Sequence, residues 1–507
     1  MDFSRRTAGV LLPVSALPGG HPCGSYGRAA RRFIDALATS GASTWQVLPL
    51  GPTRAHDDHS PYSATCSFSL STDLISQEDI DEFVDHATTP APRATAIVSK
   101  HESTQMAHAD RDRARAVSER ALASGFERFR DDSLRMEDFA AFCAREHGWL
   151  HDAARFAALT TSFGNLPWWT WPPPLRERDP PTLRDADATH HEAMELHKFG
   201  QFVAHEIWAD TRAYALESGV RIMGDLPIYV HADGPDVWSH PDLFDVEFNA
   251  GPTHFAGVPP DAFSTTGQLW RNPTYRWDAS AATEHEWWRR RIARQMALFD
   301  DLRLDHFRGF HAFWRVSADA HDATSGQWVQ GPGADLLAPI VDTFGADRFL
   351  AEDLGLIDEP VESLRQALNL PSTRVLQFAT EDTPTTPRHA PDSWPSRSVA
   401  YTGTHDNPTL CQWLEGLHAD TLDELRRRLK ISEAPCTHEH LLARTFDSAA
   451  ALVVVPLPDL LALKHEGRIN TPGVEQGNWR LRISDAQIQA ALAETLAPAL
   501  IRHGRQR

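Results

Sequence analysis

Eight short segments rich in Val, Ile and Leu constrain this chain more than anything else in it: 9–17, 44–50, 220–230, 302–310, 348–354, 374–379, 398–405 and 451–457. Each is bounded by polar residues, Gly or Pro, the pattern of a strand buried in a parallel sheet. Stretches with helical periodicity lie between them, at 29–39 after the first, 287–299 before the fourth and 360–368 after the fifth. Parallel strands need long crossovers, and helices are their usual form. The pattern therefore predicts an α/β chain folded as a (β/α)8 TIM barrel, a single catalytic domain over 1–507. Its active site is expected at the C-terminal ends of the strands.

The spacing is uneven. About 170 residues separate the second and third segments. They include a charged helical stretch at 107–128, a run at 136–159 and a Pro/Trp-rich piece at 166–176, which together predict an inserted, mostly helical subdomain over 56–215. The stretch 231–278, rich in Pro, Gly and aromatics, predicts a loop insertion over the barrel mouth.

Composition narrows the classes of partner. Hydrophobic residues at 41% and charged residues at 23% allow a sizeable core. A net charge of −20 argues against nucleic acid and anionic membranes as partners, while a neutral polyol is indifferent to it. The five cysteines are scattered, odd in number and never in a C-x-x-C pair, which fits reduced thiols in a cytoplasmic protein. Ser4-Arg5-Arg6 before the apolar stretch 8–17 has the outline of a twin-arginine export signal. Pro13 interrupts that stretch and no small-x-small site follows, so it reads as the first strand. No apolar run reaches the roughly 18 residues that cross a bilayer.

Three acids stand where strands should end: Asp305 in LRLDHFRGF, Glu352 in FLAEDLG and Asp406 in YTGTHDN. They are 47 and 54 residues apart, yet the barrel brings them to one rim, with Asp225 of RIMGDLPIYV arriving from the third strand. In an extended strand Arg303 and Asp305 face the same side, and a guanidinium beside a carboxylate favours its charged form. Each acid alone reads equally well as a helix cap; three with an arginine read as a site. Such a rim suits glycosyl transfer by a carboxylate pair or metal catalysis. Histidine separates the two. The first segment ends in Val14-Ser15-Ala16 without an H-x-H, and none of the His-Glu pairs at 191, 205, 285 and 438 extends to H-E-x-x-H. The expectation is no metal and no organic cofactor.

These segments resemble the signature segments of the 4-alpha-glucanotransferases, also called amylomaltases or disproportionating enzymes. Further blocks agree in the same order: STWQVLPLGPT (43–53), HSPYSATCSF (59–68), NLPWWTWPPPLR (165–176), AGVPPDAFSTTGQLWRNPTYRWD (256–278), VLQFA (375–379) and RINTPG…GNW (468–479). The resemblance spans nearly the whole chain. It implies a retaining enzyme that moves an α-1,4-glucan segment from a donor maltooligosaccharide to a sugar acceptor through a covalent glycosyl-enzyme. By position in the motifs it implies Asp305 as nucleophile, Glu352 as general acid/base and Asp406 as transition-state stabiliser. It also implies Tyr62, Asp225, Arg303, His405 and Asn470 as contacts to the donor glucose, and Trp270 as an aromatic platform on the acceptor side. Residues 231–278, with Phe255, Phe263 and Trp270, are expected to cover the site and exclude water. Two alternatives stand beside this reading: an α-glucan hydrolase on the same scaffold, and a non-catalytic glucan-binding barrel, which has no need of a proton donor at Glu352.

The chain also departs from the family pattern. Ser63-Ala64-Thr65 follows Ser60-Pro61-Tyr62 where the family has Q-S, and Arg271 replaces the glycine of W-G-N-P. The stretch 390–395 lacks the usual His-Asn-Tyr, and Asn478-Trp479-Arg480-Leu481-Arg482 replaces N-W-x-W-R. None belongs to the proposed trio, so the expectation is retained chemistry with altered sugar subsites.

Overall fold

A computed structural model describes residues 1–85, 108–260, 264–277, 281–381, 388–432 and 435–507. All eight predicted segments contribute a strand: Thr7–Leu11, Thr44–Gln46, Arg221–Leu226, Asp301–Leu304, Phe349–Ala351, Ser372–Val375, Ser398–Tyr401 and Leu452–Pro456. Neighbours pair in parallel and the first strand pairs with the eighth, closing the (β/α)8 barrel. Across its interior the Tyr401 hydroxyl donates to Gln46 Oε1 at 2.8 Å.

The strands stop sooner than their apolar runs. The third ends at Leu226, before Pro227, which has no N–H to give the ladder. The fourth ends at Leu304, and Arg308–His311 forms a helical turn instead of continuing the predicted strand to 310. The run 374–379 is a strand only to Val375, after which Leu376–Thr380 curls into a 3-10 turn. Short strands leave the residues after them free to form the rim.

The predicted helices form at Arg28–Ser40, Ala281–Leu298 and Glu359–Ala367. Between the second and third strands lie Gln77–Val84, Arg111–Phe129, Ser133–Arg145, His147–Ser162, Pro180–Thr189 and His191–Glu217. Side-chain caps start several of these, as where Asp132 accepts from the backbone N–H groups of Leu134 and Arg135. Phenylalanines join the helices, with Phe126 and Phe199 at 4.9 Å between ring centroids. The helix His191–Glu217 runs on against the barrel, where Trp208 Nε1 donates to the Leu298 carbonyl and Thr211 to that of Tyr26.

The stretch 231–278 is not simply a loop. His254–Val258 and Gln268–Pro273 pair antiparallel, and His254–Val258 also pairs with Ala312–Ser317, which in turn pairs with Gly326–Gln330. Strands this short, broken by Gly and Pro, leave too little alternation to be seen in sequence. Phe263 and Asp278, and residue 107 of the charged stretch, lie outside the described residues.

Gly224, one residue before Asp225, packs under the ring of Phe299; a Cβ there would come within 2.2 Å of it. Gly224→Ala is expected to destabilise the protein by about 1–3 kcal/mol, read as a lower denaturation midpoint in urea.

Candidate active site

The parallel ladder sets the height of each rim residue. Asp225 pairs with Arg303 and Arg303 with Leu350, so period-2 alternation lifts Asp305 and Glu352 one step above on the same inner face. The ladder continues just past the strand ends: Asp305 N–H donates to the Leu226 carbonyl at 3.0 Å and Glu352 N–H to that of Leu304 at 3.1 Å. Asp353, next to Glu352, faces away. It is fully buried, accepts the Thr373 N–H at 2.7 Å and pairs with Arg388, so it anchors the strand end.

Arg303, 5% exposed, is the centre of the rim. Its Nη1 donates to both oxygens of Asp225, at 2.9 and 2.8 Å, and to Asp305 Oδ1 at 2.8 Å. Tyr62 donates its hydroxyl proton to Asp225 Oδ2 at 2.8 Å and stacks its ring on His405, with centroids 5.0 Å apart. His405 Nε2 lies 3.3 Å from Asp406 Oδ2, and Asn470 Nδ2 donates to Asp406 Oδ1 at 2.6 Å. Burial pushes the Asp406 carboxyl up, but His405 and the Asn470 amide outweigh it and bring the pKa down to about 2.

Glu352 is the opposite case. Burial pushes its pKa well above the ordinary carboxyl range, and the carboxylates of Asp305 and Asp353 push the same way. Arg303 and the His306 N–H, 2.8 Å from Oε2, pull back without cancelling this. A carboxyl shifted in this direction suits general acid–base work.

An open cleft of about 1770 Å3 runs over the rim. Tyr62, Trp270, Arg303, Asp305, Glu352, His405, Asp406 and Asn470 all line it. Asp225 does not; at 1% exposure it lies a layer below, holding Arg303 and Tyr62. Among the cleft residues that sequence reasoning missed, two touch the site directly. His306, whose N–H meets Glu352, takes a left-handed backbone with φ +48; its ring meets Trp270 edge-on at 4.8 Å, and burial brings its pKa down to about 4. Trp479, at φ +59, lies against Tyr62 and His405 at 5.9 and 6.0 Å. Both belong to quoted motifs, LRLDHFRGF and GNW, where an aromatic beside a rim residue was the available signal.

The departures from the family pattern fall into two places. Ser63 and Arg271 line the cleft. Asp392 of 390–395 is instead an outer residue, paired with Lys430 and Arg444, each at 2.6 Å.

Among the described residues one group has the composition of a metal set: His56, Asp57 and His231, at the cleft edge. His231 Nδ1 accepts the Asp233 N–H at 3.1 Å, so its proton is on Nε2, which faces Asp57 Oδ2 at 3.3 Å. With Nδ1 so engaged, a metal at Nε2 would have to displace the ring's remaining proton, which does not suit a neutral imidazole ligand.

A closed parallel barrel whose C-terminal rim sets a carboxyl with a pKa pushed well up and another held down near 2 around one buried arginine defines a barrel enzyme of acid–base chemistry on a polar substrate. Comparison with known proteins gives the particular kind. The family model described as 4-alpha-glucanotransferase matches residues 12–488. The chain is 38% identical to the 4-alpha-glucanotransferase of Thermus thermophilus over 495 residues, covering 95% of this chain and 96% of that protein. It is 36% identical to that of Aquifex aeolicus, covering 96% of each. Its structure is similar to that of the amylomaltase from Streptococcus agalactiae in complex with acarbose, with a TM-score of 0.90 and 28% identity over 99% of this chain and all of that one. The chain belongs to the 4-alpha-glucanotransferase family.

Removing Asp225 leaves Arg303 with Asp305 alone. Asp225→Ala is therefore expected to cost about 3 kcal/mol of stability, the lower end for breaking a buried pair, measured by chemical denaturation.

Proposed function

We propose that the chain is a retaining 4-α-glucanotransferase in which Asp305 attacks the anomeric carbon, Glu352 shuttles the proton and Asp406 opposes the developing positive charge. The observation that carries the reading is the division of labour around Arg303: one buried cation bonded to both Asp225 and Asp305, and a third carboxyl, Glu352, whose pKa burial pushes well up.

An α-1,4-glucan lies along the cleft. As the Asp305 carboxylate forms its bond to C1, Glu352 protonates the departing glycosidic oxygen, and the leaving sugar departs with a free 4-hydroxyl. The 4-hydroxyl of an acceptor then attacks C1, its proton passes to Glu352, and the bond to Asp305 breaks. Every proton and electron pair is returned, so the cycle calls for no metal or organic cofactor. Tyr62, His405 and Trp479 offer aromatic faces to the donor glucose. Asn470 acts on that sugar through Asp406, which it holds, and Asp225 through Arg303. Trp270 and the sheet around it stand over the Glu352 flank and limit water there. The free thiols and the net charge of −20 support a cytoplasmic setting with no nucleic-acid or membrane partner; among the described residues no helix is long and apolar enough to cross a membrane.

Incubation with maltotriose should give longer and shorter oligomers by transfer, where a hydrolase would accumulate glucose and maltose alone. Glu352→Gln keeps an oxygen to accept the His306 N–H but has no proton to shuttle. Turnover should fall by about 10²–10⁴-fold. A binding module would have no turnover to lose. The pH response has a defined sign. Below the unfolded value of 4.5 the group is protonated in both states. Above it the folded state holds the proton more tightly, so its contribution to stability is lost as pH rises through the folded pKa. The melting temperature of Glu352→Gln relative to wild type should therefore climb as pH goes from 4.5 to 8, and the wild-type rate should decline on the alkaline limb.

Trp270→Ala opens the acceptor flank to water. The ratio of hydrolysis to transfer should rise by about 3-fold or more, measured as reducing ends released against oligomer redistribution; an unchanged ratio would show that Trp270 does not shield the intermediate.

A further inference from the structure

Trp270 and Arg271 follow one another in a strand, where neighbours ordinarily face opposite sides, yet both line the cleft. The strand is bulged. Gly257 pairs with Leu269 and Phe255 with Pro273, so residues 270–272 stand opposite Ala256 alone. Bulges re-aim side chains beside active sites, and a bend in the left-handed region suits glycine best. Here the residue at the bend is Arg271, at φ +60. The position is fixed from the next residue, because Asn272 Nδ2 donates to the Val230 carbonyl at 2.9 Å.

A long cation held in a conformation that suits glycine ought to have something to hold. Arg271 is exposed, and among the described residues its guanidinium makes no ion pair or hydrogen bond. Among the acids of the cleft lining, Asp57 faces His231 and Asp58 accepts the Asn478 N–H and pairs with Arg480, while Glu475 is exposed; among the described residues none of the three pairs with Arg271. Arg303, the other Lys or Arg in the described cleft lining, is committed to Asp225 and Asp305. Arg271 is thus the uncommitted positive charge of this wall.

Its flank can be assigned. Glu352 accepts the His306 N–H, and the His306 ring meets Trp270. The bulge therefore stands on the side of the proton donor, which is the side of the leaving and entering sugar.

We infer that Arg271 selects an acceptor sugar carrying an anionic group, a phosphate ester or a carboxylate, beside the hydroxyl that receives the glucan. The inference rests on the transfer reading above and adds the class of acceptor. The anion takes no part in the chemistry: the acceptor 4-hydroxyl bonds to C1, its proton goes to Glu352 and the bond to Asp305 breaks. The anion only docks against the guanidinium, whose planar fork suits both oxyanions.

The test is acceptor kinetics with maltotriose as donor and glucose, glucose 6-phosphate and glucuronate as acceptors, in wild type, Arg271→Gln and Arg271→Lys. Each enzyme is read as the ratio of anionic to neutral acceptor kcat/KM, so altered folding or donor binding cancels. Wild type should favour one of the anionic acceptors by about 5-fold or more at low salt, and the better of the two identifies phosphate or carboxylate. That preference should shrink at 0.5 M salt, fall to about 1 in Arg271→Gln and be partly kept in Arg271→Lys. Transfer to glucose with no preference for either anion in wild type, or an equal preference in Arg271→Gln, overturns the inference and leaves the function standing. No transfer from maltotriose to any acceptor overturns both.

Discussion

Arg303 is buried with Asp225 and Asp305 on the same guanidinium nitrogen, and this sets one cation among three acids at the mouth of the barrel. Removing an unpaired charge from water is costly, and a site answers by pairing it or neutralising it. One guanidinium cannot balance Asp225, Asp305 and Glu352 together. The two acids bonded to it draw directly on its charge. Glu352 is hydrogen-bonded to a backbone N–H instead, so it is the acid whose proton stays. Nucleophile and proton donor are thereby distinguished without any difference in intrinsic acidity large enough to do it.

That arrangement needs accurate height and strained corners. The ladder gives the height, since Asp225, Arg303 and Leu350 are lateral neighbours and the next inward positions are Asp305 and Glu352. The corners come from backbone that ordinary residues avoid. Asp58, Arg271, His306 and Trp479 are non-glycine residues with positive φ, and all four line the cleft. Strain of this kind persists where surrounding contacts over-determine it. At His306 its use is plain: the left-handed turn delivers the N–H to Glu352. Behind the third strand, buried Arg291 donates to the carbonyls of Pro227 and Ile228, holding the loop that carries Tyr229 to the cleft.

Much of this was legible in the sequence because it follows from period and chemistry. Eight apolar segments gave eight strands, and the i, i+2 spacing of Arg303 and Asp305 put both on one face. What stayed hidden depends on the third dimension. Asp225 has the same motif context as a ligand-facing acid, but its burial under Tyr62 and Arg303 is a matter of layer, which sequence does not carry. Asn470 lies 64 residues from the Asp406 carboxylate it bonds. The sheet over the mouth escaped notice because its strands pair across about 60 residues and are broken by Gly and Pro, so neither period nor turn chemistry marked them.

The two flanks of the cleft differ in how they are built, and this bears on what can change in such an enzyme. On the donor flank Tyr62, His405, Asp406 and Asn470 form one cross-linked chain of contacts that ends at Asp225 and Arg303. A substitution there disturbs the charge balance that separates Asp305 from Glu352. The acceptor flank is carried by a bulged strand that meets the proton donor through the ring and backbone of His306. Residue 271 can therefore be exchanged without touching the balance at Arg303. Transfer also demands that an acceptor outcompete water at the glycosyl-enzyme, which favours contacts that hold the acceptor in place before attack. A flank that is structurally free and kinetically decisive is where a new charge changes what is made while leaving how it is made intact.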